Sequence, residues 1–465
     1  MRWGLSLDAI TELPERLRKF HERFRRYMRT KTRDTSEYGF HYISGLIRME
    51  SKRNMANIGR KTDVSEQNMQ QFISDSPWLG RELISALQTD IGFREEFSEG
   101  SVFLIDESAE EKAGSHSAGA GRQHNGRLGK VEVSQVGVFL GLTNNGYHTW
   151  YDGELYFPEK WFSKKAKKKR ERVGMPEDLV FKTKLELALD MLKRAKEKGV
   201  PTEIVDCDSL YGRSGQLRDE FAKLELEYYA DIPEDTTVYV QPPLVKWPLT
   251  KRGKRSSKPE ISGLAYKVKA LKTHSQTEWH TLTLRPTERG MLTADFARWR
   301  VWTVRSDGSV REEWLLIRRD KKKSTYSLCN ASRATSLSTM AKRKSQRYFI
   351  ECSNRDAKSE LGWDEFQAIK YRAWEHNLAL TIMASWFITE TRLDWAQEHE
   401  HDPELLEDLE LDVLPSLSMA NVREMLRAAM PLPQLTPLQS AQIVAKHLDN
   451  RARSRKSRLH KALSP

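Results

Sequence analysis

The sequence predicts an α/β fold, and three observations carry that expectation. Val102-Phe103-Leu104-Ile105 and Thr202-Glu203-Ile204-Val205-Asp206-Cys207 are short runs bounded by turn residues, and the first has the continuous apolar character of a strand buried on both faces. Segments such as Thr183 to Lys196 place apolar side chains at helical spacing between them. Further on, Trp279 to Leu284, Trp299 to Arg305 and Glu313 to Arg318 alternate as half-buried strands do, with a turn at Ser306-Asp307-Gly308.

Length and charge narrow the class. A chain of 465 residues has room for roughly two to four domains. Lys and Arg number 77 against 65 Asp and Glu, a formal excess of +12 that favours a polyanionic partner, nucleic acid first. Three cysteines without metal-ligand spacing exclude a disulfide framework and a structural zinc site. No apolar segment follows Met1-Arg2-Trp3-Gly4, and no uncharged run reaches membrane-spanning length, so a soluble cytoplasmic protein with no membrane partner is expected.

Residues 1 to 98 read as helical. Within them, residues 53–60 and 65–72 form a helix, turn, helix pattern with Ser65 as N-cap. Gln67, Asn68 and Gln71 are candidates to reach base edges, against plain bundle packing as the alternative. After the strand at 102–105 comes a glycine- and cation-rich loop, Lys112 to Lys130, whose Arg122, Arg127 and Lys130 are candidate phosphate contacts. Asn144-Asn145-Gly146 marks a hairpin. Leu224 to Asp231 reads as a last edge strand, and Lys246 to Pro259 as an exposed basic loop. The alternating strands that follow make a β-rich insertion. Its Trp299, Trp302 and Trp314 are core residues or, alternatively, platforms for an unpaired base. Trp363 to Ile388 reads as a helix closing the core, and 451–461 as a basic tail.

Two acids end the apolar runs. Asp106 follows the first strand, and Asp208 stands just past the fourth, beyond the two hairpin strands and 102 residues later. If those strands lie side by side the two carboxylates converge, as a site for hard divalent cations requires. Glu107 and Asp206 are the competing acids. A third comes from the stretch Arg347 to Lys358. If it is helical, Arg347, Glu351, Arg355 and Lys358 share one face, one carboxylate among three cations.

The spacing Arg347, Glu351, Lys358 resembles the signature helix of the DDE transposases of the insertion-sequence-four superfamily. The loop Gly114 to Gln135, Leu155 to Trp161 and Asp208-Ser209-Leu210-Tyr211-Gly212 resemble more closely the insertion sequence 701 group, over roughly residues 20 to 390. The resemblance implies an RNase H-like catalytic core interrupted by a β-rich insertion, with a helical N-terminal domain and a helical C-terminal region. It carries a catalytic and metal-binding triad onto Asp106, Asp208 and Glu351, holding two Mg2+ ions for which Mn2+ should substitute. It further implies DNA contacts by Arg347 and Lys358, double-stranded transposon-end and target DNA as partners, and a homodimer or higher oligomer at the bacterial nucleoid. The family's Tyr position holds Lys344, so hairpin chemistry is not carried over. The expected division is 1–98 (DNA binding and oligomerisation), 99–240 with 335–390 (catalytic core), 241–334 (insertion) and 391–465 (helical C-terminal region with the basic tail). The alternatives are a transposase-derived DNA-binding protein without catalysis and a host nuclease of the same fold.

Overall fold

The computed structural model describes residues 11–125, 129–249, 254–256, 258–287, 290–320, 323–399 and 417–432, with a few isolated positions beyond. Fourteen strands appear among them: β1 (Val102–Glu111), β2 (Gly121–Asn125), β3 (Lys130–Asn144), β4 (Tyr147–Tyr156), β5 (Ile204–Cys207), β6 (Glu227–Ile232), β7 (Thr237–Tyr239), β8 (Leu244–Lys246), β9 (Glu260–Ser262), β10 (Ala265–Lys267), β11 (His280–Thr287), β12 (Gly290–Val304), β13 (Val310–Arg319) and β14 (Ser324–Cys329). Twelve form one mixed sheet in the order β10-β7-β12-β13-β14-β6-β5-β1-β3-β2, with β4 on β3 and β11 on β12; β8 and β9 pair apart from it. The mixed α/β architecture expected from the sequence is therefore present.

The part of the sheet that matters most is β4-β3-β1-β5-β6. Strand β3 runs antiparallel to β1 and β4, while β5 is parallel to both β1 and β6. The β3–β4 hairpin turns at Asn145 (φ 48°) and Gly146 (φ 88°), both left-handed as a two-residue hairpin turn needs. Strand β1 is apolar and fully buried over Val102 to Ile105, as befits a central strand between β3 and β5. The Lys184–Glu197 helix, started by a capping box between Thr183 and Glu186, contacts β3 and β4.

Two expectations need correction. Strand β6 is not an edge: β14 returns from the insertion and pairs with it antiparallel, from Ile232↔Tyr326 to Tyr229↔Cys329. The strands expected to form a separate β-rich insertion thus continue the same sheet. The 112–130 segment is also less open than its glycines suggest, since β2 within it pairs with Lys130 to Ser134 of β3.

The helix Tyr371–His399 is the axis of the helical layer, starting later than the sequence pattern suggested, after a short 3-10 turn at Trp363–Glu365. It packs on the helices Ser36–Arg48, Glu66–Ser74 and Gly80–Gly92 and on β4. Leu378, Ile382, Met383, Trp386 and Phe387 are fully buried along it, each such side chain contributing about 1.5–3 kcal/mol of transfer free energy. A buried ion cluster fixes this layer to the sheet: Asp152 of β4 accepts from Arg81 at 3.2 Å and from Arg194 at 2.7 Å. Cys207, Cys329 and Cys352 are free and buried. Among the described residues no helix is long and apolar enough to cross a membrane.

Candidate active site

The parallel register of β1 and β5 ends at Ile105↔Cys207, and that of β5 and β6 at Cys207↔Ala230. The next residue on each strand path is an aspartate, so Asp106, Asp208 and Asp231 stand in a row across three neighbouring strands. Asp208 also caps the short helix Ser209–Gly212, accepting from the Leu210 N–H at 2.9 Å. Asp106 accepts from the Glu107 N–H at 2.8 Å and from Asn354 Nδ2 at 3.2 Å. Burial raises the Asp106 carboxyl to about 7, helped by the charges of Asp208 and Glu107 and opposed by Arg347. Asp208 is raised as well, by burial and by Glu107.

The second half of the site is the helix Tyr348–Ser359, with Arg347 at its N-terminal boundary. Arg347 donates to Glu351 Oε1 at 2.7 Å, and its Nε lies 3.3 Å from Asp231 Oδ2. Its guanidinium also opposes the rise that burial imposes on the carboxyls of Asp106, Asp206 and Asp208. Asn354, one turn beyond Glu351, holds the helix to the sheet: its Oδ1 accepts from Trp150 Nε1 at 2.9 Å while its amide reaches Asp106.

The competing acids are otherwise engaged. Asp206 is fully buried and accepts from Lys344 Nζ at 2.8 Å. Glu107 accepts from Lys184 Nζ at 3.0 Å and from the Tyr211 hydroxyl at 3.1 Å. The carboxylates of Asp106, Asp208 and Glu351 do not all close to mutual ligand distance. Among the described residues, the group whose ligand atoms lie within 4.8 Å of one another is His21, Glu22 and Glu37, in the N-terminal helices. Glu37 and Glu22 are there held by Arg18 and Arg25.

The remaining candidates are dispersed. Lys358 is tied to Glu110 Oε1 at 2.9 Å, whereas the Arg355 side chain is 62% exposed. Arg122 and Lys130 are exposed on β2 and β3. Arg127 lies outside the described residues. Gln67, Asn68 and Gln71 are all exposed on the Glu66–Ser74 helix, whose N-cap is Ser65 as expected. Trp299 faces the insertion core, donating to Thr277 at 2.9 Å, and Trp314 is flanked by the guanidiniums of Arg298 and Arg300 at 4.4 and 4.3 Å. Trp302 is half-buried on β12 opposite Glu312.

Against known proteins, residues 19–291 match the model of the DDE superfamily endonuclease family. This chain belongs to that family. The matched span contains Asp106 and Asp208 and ends ahead of Glu351. The chain is also similar to a probable transposase for insertion sequence element IS701 from Microchaete diplosiphon, 28% identical over 184 residues. That match takes in 38% of this chain and 43% of the relative, so less than half the relative's length is spanned. Both findings agree with the resemblance to the insertion sequence 701 group carried by the motifs. DDE endonucleases act on DNA and generally use divalent metals. The acidic row suits such ions: its donors are hard carboxylate oxygens, and two of them are crowded until their pKa values rise.

Sequence reading did not single out Asn354, Asp231, Lys184 or Tyr211 as parts of this site. Asn354 had a signal, lying three residues from Glu351 on one helical face. Asp231 had none, because only the β5–β6 pairing brings it beside Asp208.

Proposed function

We propose that this chain is the transposase of an insertion sequence. It binds the terminal inverted repeats of its element, hydrolyses DNA phosphodiester bonds and joins the freed 3′-hydroxyl ends to target DNA, in the bacterial cytoplasm at the nucleoid. The observation that carries this reading is the register that brings Asp106 and Asp208 together at the ends of parallel strands, with Asn354 tying the Glu351 helix to Asp106. Asp106, Asp208 and Glu351 are the residues that would hold two Mg2+ ions, or Mn2+ in their place. When bound, these ions supply a lowered pKa at the attacking hydroxyl and charge stabilisation at the leaving 3′ oxygen.

The chain's own residues do the rest. Asp106 would hold an ion as the carboxylate, its proton released to solvent, and Glu351 would hold one through the oxygen that now accepts from Arg347. Arg347 then turns its charge to the scissile phosphate, and exposed Arg355 meets the neighbouring backbone. Lys358 stands on the same helix for that strand, with Glu110 as its present partner. Arg122, Arg127 and Lys130 extend the basic surface, and Gln67, Asn68 and Gln71 read base edges. Trp299, Trp302 and Trp314, all half-buried, are the aromatic candidates for stacking on an unpaired base. The strand arrangement β4-β3-β1-β5-β6 supports an RNase H-like core over 99–240 and 335–390, with 241–334 as its insertion. Residues 1–98 then serve DNA binding and pairing into a dimer or higher oligomer, and 391–465 complete the chain.

The test is cleavage of a supercoiled plasmid carrying the DNA that flanks the coding region, with Mg2+. D106N, D208N and E351Q are each expected to lose about a thousandfold or more in cutting rate while still binding the DNA. Cutting at the wild-type rate by any of them overturns that residue's assignment.

A further inference from the structure

Asp231 is the third aspartate of the row, and its contacts distinguish it from the other two. Its Oδ1 accepts from the buried Ser327 hydroxyl at 2.5 Å and lies 3.0 Å from Lys344 Nζ, while Oδ2 faces Arg347 Nε at 3.3 Å. Both oxygens are therefore engaged by the protein's own donors. Lys344 is itself buried, with its ammonium shared between Asp231 and the fully buried Asp206. The result is an unbroken chain of alternating charge, Asp206, Lys344, Asp231, Arg347, Glu351, running from the floor of β5 to the exposed face of the Tyr348–Ser359 helix. Ser327 belongs to β14, the strand that returns from the insertion.

Buried ion pairs give little net stability compared with apolar side chains of the same volume. What this chain of charges does accomplish is geometric. A guanidinium is a planar fork, and fixing Nε against Asp231 fixes where the terminal nitrogens point. Here one of them points at Glu351, 2.7 Å away. Lys344 shares one positive charge between the two inner carboxylates, and Arg347 supplies the second on the outer side of Asp231. Without that ammonium, Asp206 would lose its donor and Asp231 would keep only Ser327 and Arg347.

We propose that Asp231 and Lys344 are positioning residues of the DNA-cutting site: with Ser327 of the returning strand β14, they fix the guanidinium of Arg347, which faces Glu351 in this structure and the reacting phosphate once Glu351 has left it. This rests on the transposase reading above. It gives the insertion a direct part in the site, through one hydroxyl on β14.

The experiment is a double-mutant cycle on plasmid cutting with Mg2+, measured at saturating and at limiting DNA. D231N is expected to cut about tenfold more slowly at saturation, with the half-saturating DNA concentration changed less than about twofold. Combined with R347Q, it should be no slower than R347Q alone, because its effect passes through Arg347. S327A removes only the hydroxyl on Asp231 and keeps the test open should D231N not fold. It is expected to cut about two- to fivefold more slowly, and that deficit should vanish in the R347Q background. Wild-type rates in folded D231N or S327A, or losses that multiply with R347Q, overturn the positioning role and leave the transposase reading standing. A wild-type protein that does not cut overturns both.

Discussion

Asp106 and Asp208 lie one register step beyond the paired residues Ile105 and Cys207, and neither carboxyl can ionise without opposing the other. The folded protein holds a proton on Asp106 up to about 7, whereas an unfolded chain releases it near the ordinary 3.8. Native Asp106 thus binds the proton more tightly. Its contribution to stability is present in full below the unfolded value and is lost as pH rises toward about 7. D106N should then be more stable than wild type, by on the order of 1–2 kcal/mol at pH 8 after allowance for solvent screening. Urea unfolding in chelator-treated buffer checks this: the gain should grow between pH 4 and 7 and disappear below. A pH-independent difference would point to packing instead.

Asn354 joins the two halves of the site through one amide. N354A should leave Trp150 Nε1 without its acceptor and Asp106 Oδ2 without its amide donor, while Oδ1 keeps the Glu107 N–H, a cost of about 1–3 kcal/mol in unfolding free energy. N354D keeps the shape but adds a carboxylate beside Asp106. It should depress cutting more than N354A at pH 8, and comparing the two rates separates charge from packing.

Gly212 ends the turn that Asp208 caps, with its N–H donated to the Asp208 carbonyl at 2.8 Å. A Cβ there would overlap the carbonyl oxygen of Asp231, which is backbone and cannot swing aside. G212A should destabilise by about 3 kcal/mol or more and move Asp208 and Asp231 apart. Thermal unfolding and plasmid cutting should fall together.

Arg355 and Lys358 share a helix but not a situation. R355A should weaken duplex binding without changing stability and reduce the slope of log affinity against log salt by about 1. K358A, by releasing Glu110, should lower stability more than its effect on DNA affinity implies. Fluorescence anisotropy over a salt series, beside melting curves, distinguishes them.

These residues also show what the sequence made legible. Val102 to Asp106 and Ile204 to Asp208 could be read locally, because a buried strand ending in an acid is a pattern a few residues long. The hairpin at Asn145-Gly146 was equally plain. The neighbours of β6 were not, since its partner β14 is roughly a hundred residues away and nothing in Glu227 to Ile232 names it. Lys344 looked in the sequence like a departure from a motif. In three dimensions it is the counter-charge to Asp206 and Asp231, two acids that meet only once β5 and β6 pair. Trp299 and Trp314, read as core or as stacking platforms, divide by strand face: Trp299 turns to the insertion core and Trp314 to the arginines of β12.

The pairing of β14 with β6 has a consequence for how the protein is made. Strand β6 leaves the ribosome long before Ser324 to Cys329, so the nascent chain carries an unsatisfied, largely buried-type edge, Tyr228-Tyr229-Ala230, until the insertion has been synthesised and folded back. Fragments that stop within the insertion should stick to one another through that edge, and cutting competence should appear only late in synthesis, after the last strand has docked and the helix of Glu351 has followed it.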